Sequence, residues 1–238
     1  MICLGDRRLS IDCDGQAGST KATVVLIAGG GRTAKDWSKV QPAVSRFARV
    51  CSYDRAGLGK SDQAASKLQS VDEIVDDLHE LLQASGETGP FILVGHSIAG
   101  IYVRTFVTRF PGDVAGLVFV DSSHEEGALR QNQLDPGIQR LTEETARLGF
   151  FVKPGERLQW RTKLPLIVLG RGKPIPRTAQ MTEEHFAAWD SIWRELQQDL
   201  ARRSTHGEFR LAEHSGHFIQ LEQPELVIQA IRDVYQKR

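Results

Sequence analysis

Apolar positions along this 238-residue chain follow two rhythms. The first twenty residues alternate weakly, with Ile2, Leu4, Leu9, Ile11 and Cys13 set around Gly5-Asp6, which predicts a short antiparallel hairpin on a sheet edge. After that, short apolar runs recur, each bounded by Gly or Asp. They occupy residues 23–27, 50–53, 91–94, 117–120 and 166–169, with a weaker one at 209–211. Runs this apolar fit strands covered on both faces, as in a parallel sheet.

Helical patterns fill the gaps. Ser70 and Glu73 have capping-box spacing ahead of a stripe of Val71, Ile74, Val75, Leu78, Leu81 and Leu82, with Gly86 as the stop. A second helix is predicted over 98–110, halted by Pro111-Gly112. Pro224 opens a last one carrying Leu226, Val227, Ala230, Ile231 and Val234. Strands alternating with helices predict a doubly wound α/β sheet. Residues 122–163 break the rhythm: they are rich in Gln, Glu and Arg, contain Asp135-Pro136-Gly137 and Lys153-Pro154-Gly155 turns, and show only short helical patterns such as 142–148. They are read as a small cap inserted between the sixth and seventh strands.

Composition narrows the picture. The length suits one large domain, and 40% hydrophobic with 25% charged residues is ordinary for a soluble globular chain. At this size no disulfide or metal staple is needed to stabilise the core. Thirty basic and thirty acidic residues cancel, so neither nucleic acid nor an anionic membrane is an expected partner. No window approaches the roughly 18 apolar residues of a membrane span, and residues 1–8 carry no apolar stretch of signal-peptide length. Cys3, Cys13 and Cys51 are odd in number and lack CxxC spacing; the expectation is buried reduced thiols rather than a disulfide framework or zinc site. Together these features predict a cytoplasmic protein without metal or cofactor.

The chemistry concentrates in Phe91-Ile92-Leu93-Val94-Gly95-His96-Ser97-Ile98-Ala99-Gly100, which reads as strand, sharp turn, helix. Gly95 and Ala99 flank Ser97 at two-residue spacing. Such a turn strains the serine backbone and admits only small neighbours where strand and helix nearly touch. It lifts the hydroxyl above the strand end, over a helix N-terminus whose dipole and free N–H groups favour developing negative charge.

With these residues the chain resembles the α/β-hydrolase superfamily over most of its length. The resemblance implies a mostly parallel, doubly wound sheet of eight strands, with 1–121 and 164–238 as the core and 122–163 as the cap. Leu26-Ile27-Ala28-Gly29-Gly30-Gly31-Arg32, continuing to Asp36-Trp37, looks like the family's loop after the third strand. Carried over by position, the oxyanion donors are the backbone N–H groups of Gly30 and Ile98, each worth roughly 3 kcal/mol, with Gly31 a rival. Ala28 stands where the family usually has histidine, so that loop must be braced differently. Tyr53-Asp54-Arg55-Ala56-Gly57-Leu58-Gly59-Lys60-Ser61 resembles the loop after the fourth strand, where the resemblance implies a structural role for Asp54.

A serine hydroxyl needs a base, and histidine titrates in the right range. Seven histidines are present. His217, in Ser215-Gly216-His217-Phe218 between the last strand and the final helix, occupies the family's position for the base; His214 is its rival. His79 reads as surface, His96 as pointing away from the catalytic face, and His185 and His206 as solvated. The acid is displaced. The seventh strand leads into Gly170-Arg171-Gly172-Lys173-Pro174, where many family members carry Asp, and no carboxylate follows before Glu183 and Glu184. Asp121, ending the sixth strand, is the best-placed candidate, with Glu125 and Glu126 as alternatives.

The expected function is therefore a serine carboxylesterase acting on a small-molecule ester through Ser97, His217 and Asp121. Thioester, lactone or amide hydrolysis and acyl transfer use the same residues. A non-catalytic receptor on the same fold is a different class. So is a dinucleotide-binding oxidoreductase, since Gly29-Gly30-Gly31-Arg32-Thr33-Ala34 follows a strand and Asp54 ends the next one. Leu134, Ile138, Leu141, Phe150 and Phe151 in the cap read either as cap core or as an acyl pocket.

Overall fold

The computed structural model describes residues 1–16, 22–64, 69–134, 160–175 and 182–237. Eight strands form one sheet: β1 (Ile2–Leu4), β2 (Arg7–Asp14), β3 (Thr23–Ile27), β4 (Val50–Asp54), β5 (Phe91–His96), β6 (Val114–Val120), β7 (Leu166–Arg171) and β8 (Gly207–Ala212). Their order across the sheet is β1-β2-β4-β3-β5-β6-β7-β8. β1 and β2 form the expected edge hairpin and β2 runs antiparallel to β4; every other pairing is parallel. The helices are α1 (Gln41–Val44), α2 (Val71–Ala84), α3 (Ala99–Arg109), α4 (Gly127–Leu134), α5 (Glu183–Arg202), α6 (Ile219–Glu222) and α7 (Pro224–Gln236). None among the described residues is long and apolar enough to cross a membrane.

The central strands are apolar on both faces because both faces are covered. Val25, Ile27, Leu93, Phe119 and Val168 pack with the stripes of α2 and α3, including Leu78, Leu82, Val103 and Phe106. Their neighbours Val24, Leu26, Ile92, Val118 and Ile167 pack on the opposite side with Val44 of α1 and Val227, Ile231 and Val234 of α7. The helix signals act locally. The Ser70 side chain accepts from the Glu73 N–H while the Glu73 carboxylate reaches back to the Ser70 N–H, and Gly86 takes the left-handed conformation (φ 82°) just past the end of α2. Pro224 occupies the first turn of α7.

One expectation fails. Cys13 and Cys51 are not free thiols; they form a disulfide, and only Cys3 is free and exposed. Pairing of β2 with β4 sets these two residues directly opposite each other. They lie 38 positions apart in sequence, so an odd count without local spacing could not reveal the match. Of the expected cap, residues 122–134 and 160–163 are described, whereas the helical pattern at 142–148 and Ile138, Leu141, Phe150 and Phe151 lie outside the described residues.

Candidate active site

The strand order reverses beside β3, which has β4 on one side and β5 on the other. In an open α/β sheet the crevice beyond the carboxyl ends at such a switch point is the place where ligands bind. The loop after β3 and the turn after β5 both open there. Ser97 stands in that turn with φ 55°, a left-handed backbone that a serine adopts only at a cost. Close packing enforces it: a Cβ on Gly95 would come within 3.0 Å of the Ala99 backbone and the Val103 side chain. The turn is tied down by the Ser97 N–H donating to the Val120 carbonyl (3.1 Å) and the Ser123 N–H donating to the Ser97 carbonyl (2.8 Å). Ser97 and Ile98 remain half-buried.

Asp121 follows β6 directly and is the second non-glycine residue with positive φ, 43°. Its fully buried carboxylate receives four donors. His217 Nδ1 lies 2.6 Å from Oδ2, and Arg171 Nη1 donates to the same oxygen at 3.3 Å. Trp193 Nε1 and the Arg171 backbone N–H donate to Oδ1 at 2.7 and 3.1 Å. Burial alone would raise the pKa of Asp121. The bond from His217 and the positive charge of Arg171 outweigh it and hold the carboxyl below its ordinary value. Arg171 is itself buried and is shared with Asp190 at 3.1 Å, while its guanidinium stacks 4.9 Å from the Trp193 ring centre. The adjoining peptide is locked by Gln197, which accepts from the Ser122 N–H and donates to the Ser122 carbonyl.

His217 is presented by the segment between β8 and α6. The Glu222 carboxylate accepts from the Gly216 N–H at 2.9 Å, closing the turn that carries the histidine. His96 does not point away, as expected from its place in the elbow. Its ring lies 4.7 Å from that of His217, and its Nε2 is 2.9 Å from the His217 carbonyl oxygen. The carbonyl can only accept, so Nε2 carries the proton. Burial, and then the charge of neighbouring His217, pull the His96 pKa down to about 4.

The loop after β3 reaches this crevice at Gly29 and Gly30. A Cβ on Gly29 would come within 2.8 Å of His96 Nδ1 and 3.1 Å of Ser97 Cβ, and one on Gly30 within 3.6 Å of Ile98 Cγ2. Gly31 has nothing within 4 Å of the same construction, so Gly30 is the residue that approaches Ile98. The loop leads into a single 3₁₀ turn, Ala34–Trp37, instead of the long helix whose N-terminus would hold a pyrophosphate. Asp54 is occupied structurally, accepting from the Ala34 and Lys60 N–H groups at 2.8 and 2.9 Å.

The rival residues have other partners. Glu125 is buried between Arg104 and Arg203, and the Glu126 N–H donates to His124 Nδ1. The backbone of exposed His214 donates to Gln223. Glu183 and Glu184 lie in the first turn of α5. His79 is less superficial than expected, stacking on Phe110 at 3.7 Å and bonding Asp113. Trp193, Arg171 and Asp190 join the site without having been expected there.

The sheet order and the crevice at its switch point define an α/β-hydrolase architecture. The chain belongs to the alpha/beta hydrolase family, whose model matches residues 24–230. The uncharacterised protein YqjL of Bacillus subtilis is 26% identical over 238 residues, covering 92% of this chain and 85% of that one. Other curated relatives match over a smaller part of their length. An AB hydrolase superfamily protein of Gibberella zeae is 33% identical over 105 residues, 43% of this chain and 33% of its own. Among solved structures, a probable hydrolytic enzyme of Pseudomonas aeruginosa superposes with a TM-score of 0.75 at 19% identity, covering 99% of this chain and 93% of that one. A thermophilic esterase of Thermogutta terrifontis gives 0.66 at 21% identity, covering 97% and 94%. At these identities the structural likeness speaks for the fold.

Proposed function

We propose that this protein is a serine hydrolase of carboxylic esters, with Ser97 as nucleophile, His217 as base and Asp121 as the acid that orients it. The observation that carries the reading is the 2.6 Å contact between His217 Nδ1 and the buried Asp121 carboxylate, with the His217 ring 4.7 Å from that of His96, the residue preceding a serine held in a left-handed turn. An ionised Asp121 fixes the proton on Nδ1, leaving Nε2 free to accept the Ser97 proton. Ser97 Oγ then attacks the ester carbonyl, and the oxyanion is received by the N–H groups of Gly30 and Ile98. Collapse expels the alcohol, which takes its proton from His217. Water deprotonated by His217 cleaves the acyl-enzyme and regenerates the serine.

Thioesters and lactones would follow the same steps, and acyl transfer differs only in the acceptor that replaces water. The test is a panel of p-nitrophenyl esters of graded acyl length, together with labelling by a fluorophosphonate. Turnover and labelling that both disappear in Ser97→Ala support the reading. Turnover that survives the substitution refutes it, and a wild-type protein that neither labels nor turns over any ester points to the receptor class instead.

A further inference from the structure

The sequence has Ala28 where the family usually has a histidine, and the structure shows a different brace for that loop. Arg55, in the turn after β4, is only 7% exposed. Its Nη1 donates to the Ala28 carbonyl and its Nη2 to the Gly29 carbonyl, both at 2.5 Å. Its guanidinium carbon sits 5.4 Å from the centre of the Tyr102 ring. The adjacent Asp54 carboxylate is bonded instead by the N–H groups of Ala34 and Lys60. Among the described residues Arg55 has no carboxylate partner; its hydrogen-bond partners are the two loop carbonyls.

The placement of those carbonyls matters. The Gly29 carbonyl and the Gly30 N–H are opposite ends of one peptide group. A cation bonded to the carbonyl end draws electron density through the amide, making its N–H a stronger donor, and fixes the plane in which that N–H points. Gly30 is the loop residue that approaches Ile98, beside Ser97.

We propose that Arg55 is a positioning residue of the oxyanion hole, one that orients and polarises the Gly29–Gly30 peptide so that the Gly30 N–H stabilises the tetrahedral intermediate. The proposal rests on the serine-hydrolase reading above. It assigns Arg55 a role that grows with the charge on the reacting oxygen and is small for the neutral ester carbonyl.

The experiment compares wild type, Arg55→Met, Arg55→Lys and Ser97→Ala on p-nitrophenyl acetate. It also measures the inhibition constant of an aryl trifluoromethyl ketone, which forms a tetrahedral adduct on an active serine, and checks folding by circular dichroism. Arg55→Met is expected to lose roughly 30- to 100-fold in kcat, less than removal of a whole oxyanion donor, with KM within about threefold. Ketone affinity should fall in parallel. Arg55→Lys keeps the charge and one carbonyl bond, and should recover about tenfold of the kcat lost. If the methionine variant does not fold, the lysine variant carries the comparison, with a smaller parallel loss in kcat and ketone affinity expected. Full kcat in a folded Arg55→Met, a kcat loss without weaker ketone binding, or a lysine variant no better than methionine overturns the proposal. Turnover retained by Ser97→Ala overturns the hydrolase reading and this inference with it, whereas an inactive Ser97→Ala beside a fully active Arg55→Met overturns this inference alone.

Discussion

Asp121→Asn separates the role of the buried carboxylate from its place in the fold. The substitution suits the backbone: φ at this position is 43°, and asparagine tolerates the left-handed region where alanine or a branched residue would be strained. The substituted amide can keep its oxygen toward the Trp193 Nε1 and Arg171 N–H donors, which lie at 2.7 and 3.1 Å. Its NH₂ then faces the two remaining partners, His217 Nδ1 and Arg171 Nη1. A donor opposite Nδ1 forces the imidazole into the other tautomer, with its proton on Nε2. On the proposed mechanism that nitrogen must accept the Ser97 proton, and it no longer can. The loss expected is about 10⁴-fold in kcat, equivalent to about 5 kcal/mol of transition-state stabilisation. Folding should survive. Arg171 retains Asp190 at 3.1 Å, and the bonds lost or mismatched at the site cost on the order of 1–3 kcal/mol. The assay is steady-state hydrolysis of p-nitrophenyl acetate with Ser97→Ala as the floor, alongside urea unfolding of each variant. A folded Asp121→Asn within tenfold of wild-type kcat would refute the assignment and return the acid to one of the other carboxylates.

Three further outcomes are expected. Trp193→Phe keeps an aromatic ring but removes one charge-assisted donor from Asp121, so kcat/KM should fall roughly tenfold with little change in melting temperature; unchanged kinetics would leave the indole no part in holding the acid. His96, pulled down to about 4 in the folded protein, gains its proton near 6.5 when unfolded. The unfolded chain therefore binds more protons between those values, and stability should fall as pH drops through that window, by up to about 3 kcal/mol at its lower end. Urea unfolding at pH 8 and at pH 4.5 reads this, and an equal pH slope in His96→Asn would count against it. The Cys13–Cys51 bond closes 38 residues of sequence separation, a constraint worth about 4 kcal/mol in the chain-entropy account. Dithiothreitol, or the double Cys→Ser variant, should lower the melting temperature by roughly 8–16 °C, and thiol titration of the unreduced denatured chain should find one free thiol rather than three; three free thiols and a melting temperature indifferent to reductant would refute the pairing.

What the sequence disclosed about this fold was local. The run at 23–27 coincides with β3 because Thr23 and the four apolar residues after it, four of the five β-branched, form a short stretch that suits a strand buried on both faces. The other central strands extend past their apolar runs. β5 continues to His96 and β7 to Arg171, since ladder hydrogen bonds do not require apolar side chains. The capping box of α2 was legible for the same local reason. Contacts made by register or by tertiary packing were not. Cys13 meets Cys51 only because β2 lies against β4, and His96 meets His217 across 121 positions.

The candidate acid shows where the boundary falls. The absence of a carboxylate after the seventh strand is plain in the sequence, and it directs attention to Asp121. The residue that stands in that carboxylate's place, Arg171, is equally visible. It ends a strand whose preceding residues, Leu166 to Gly170, are buried throughout, so its guanidinium must enter the interior or strain to leave it. An arginine driven into the interior is commonly paired with an anion, and the neighbouring parallel strand runs directly into Asp121, with Val120 in register with Leu169. Strand adjacency and charge balance together suffice to pair the two residues. Trp193 offers no comparable signal. It lies midway along α5, 72 positions from Asp121, where an aromatic residue at helical spacing reads as core. Only the three-dimensional path of that helix over the end of the sheet brings its indole N–H to the carboxylate. The cation at the end of β7 is thus within reach of sequence reasoning, and the indole that completes the carboxylate's set of donors is not.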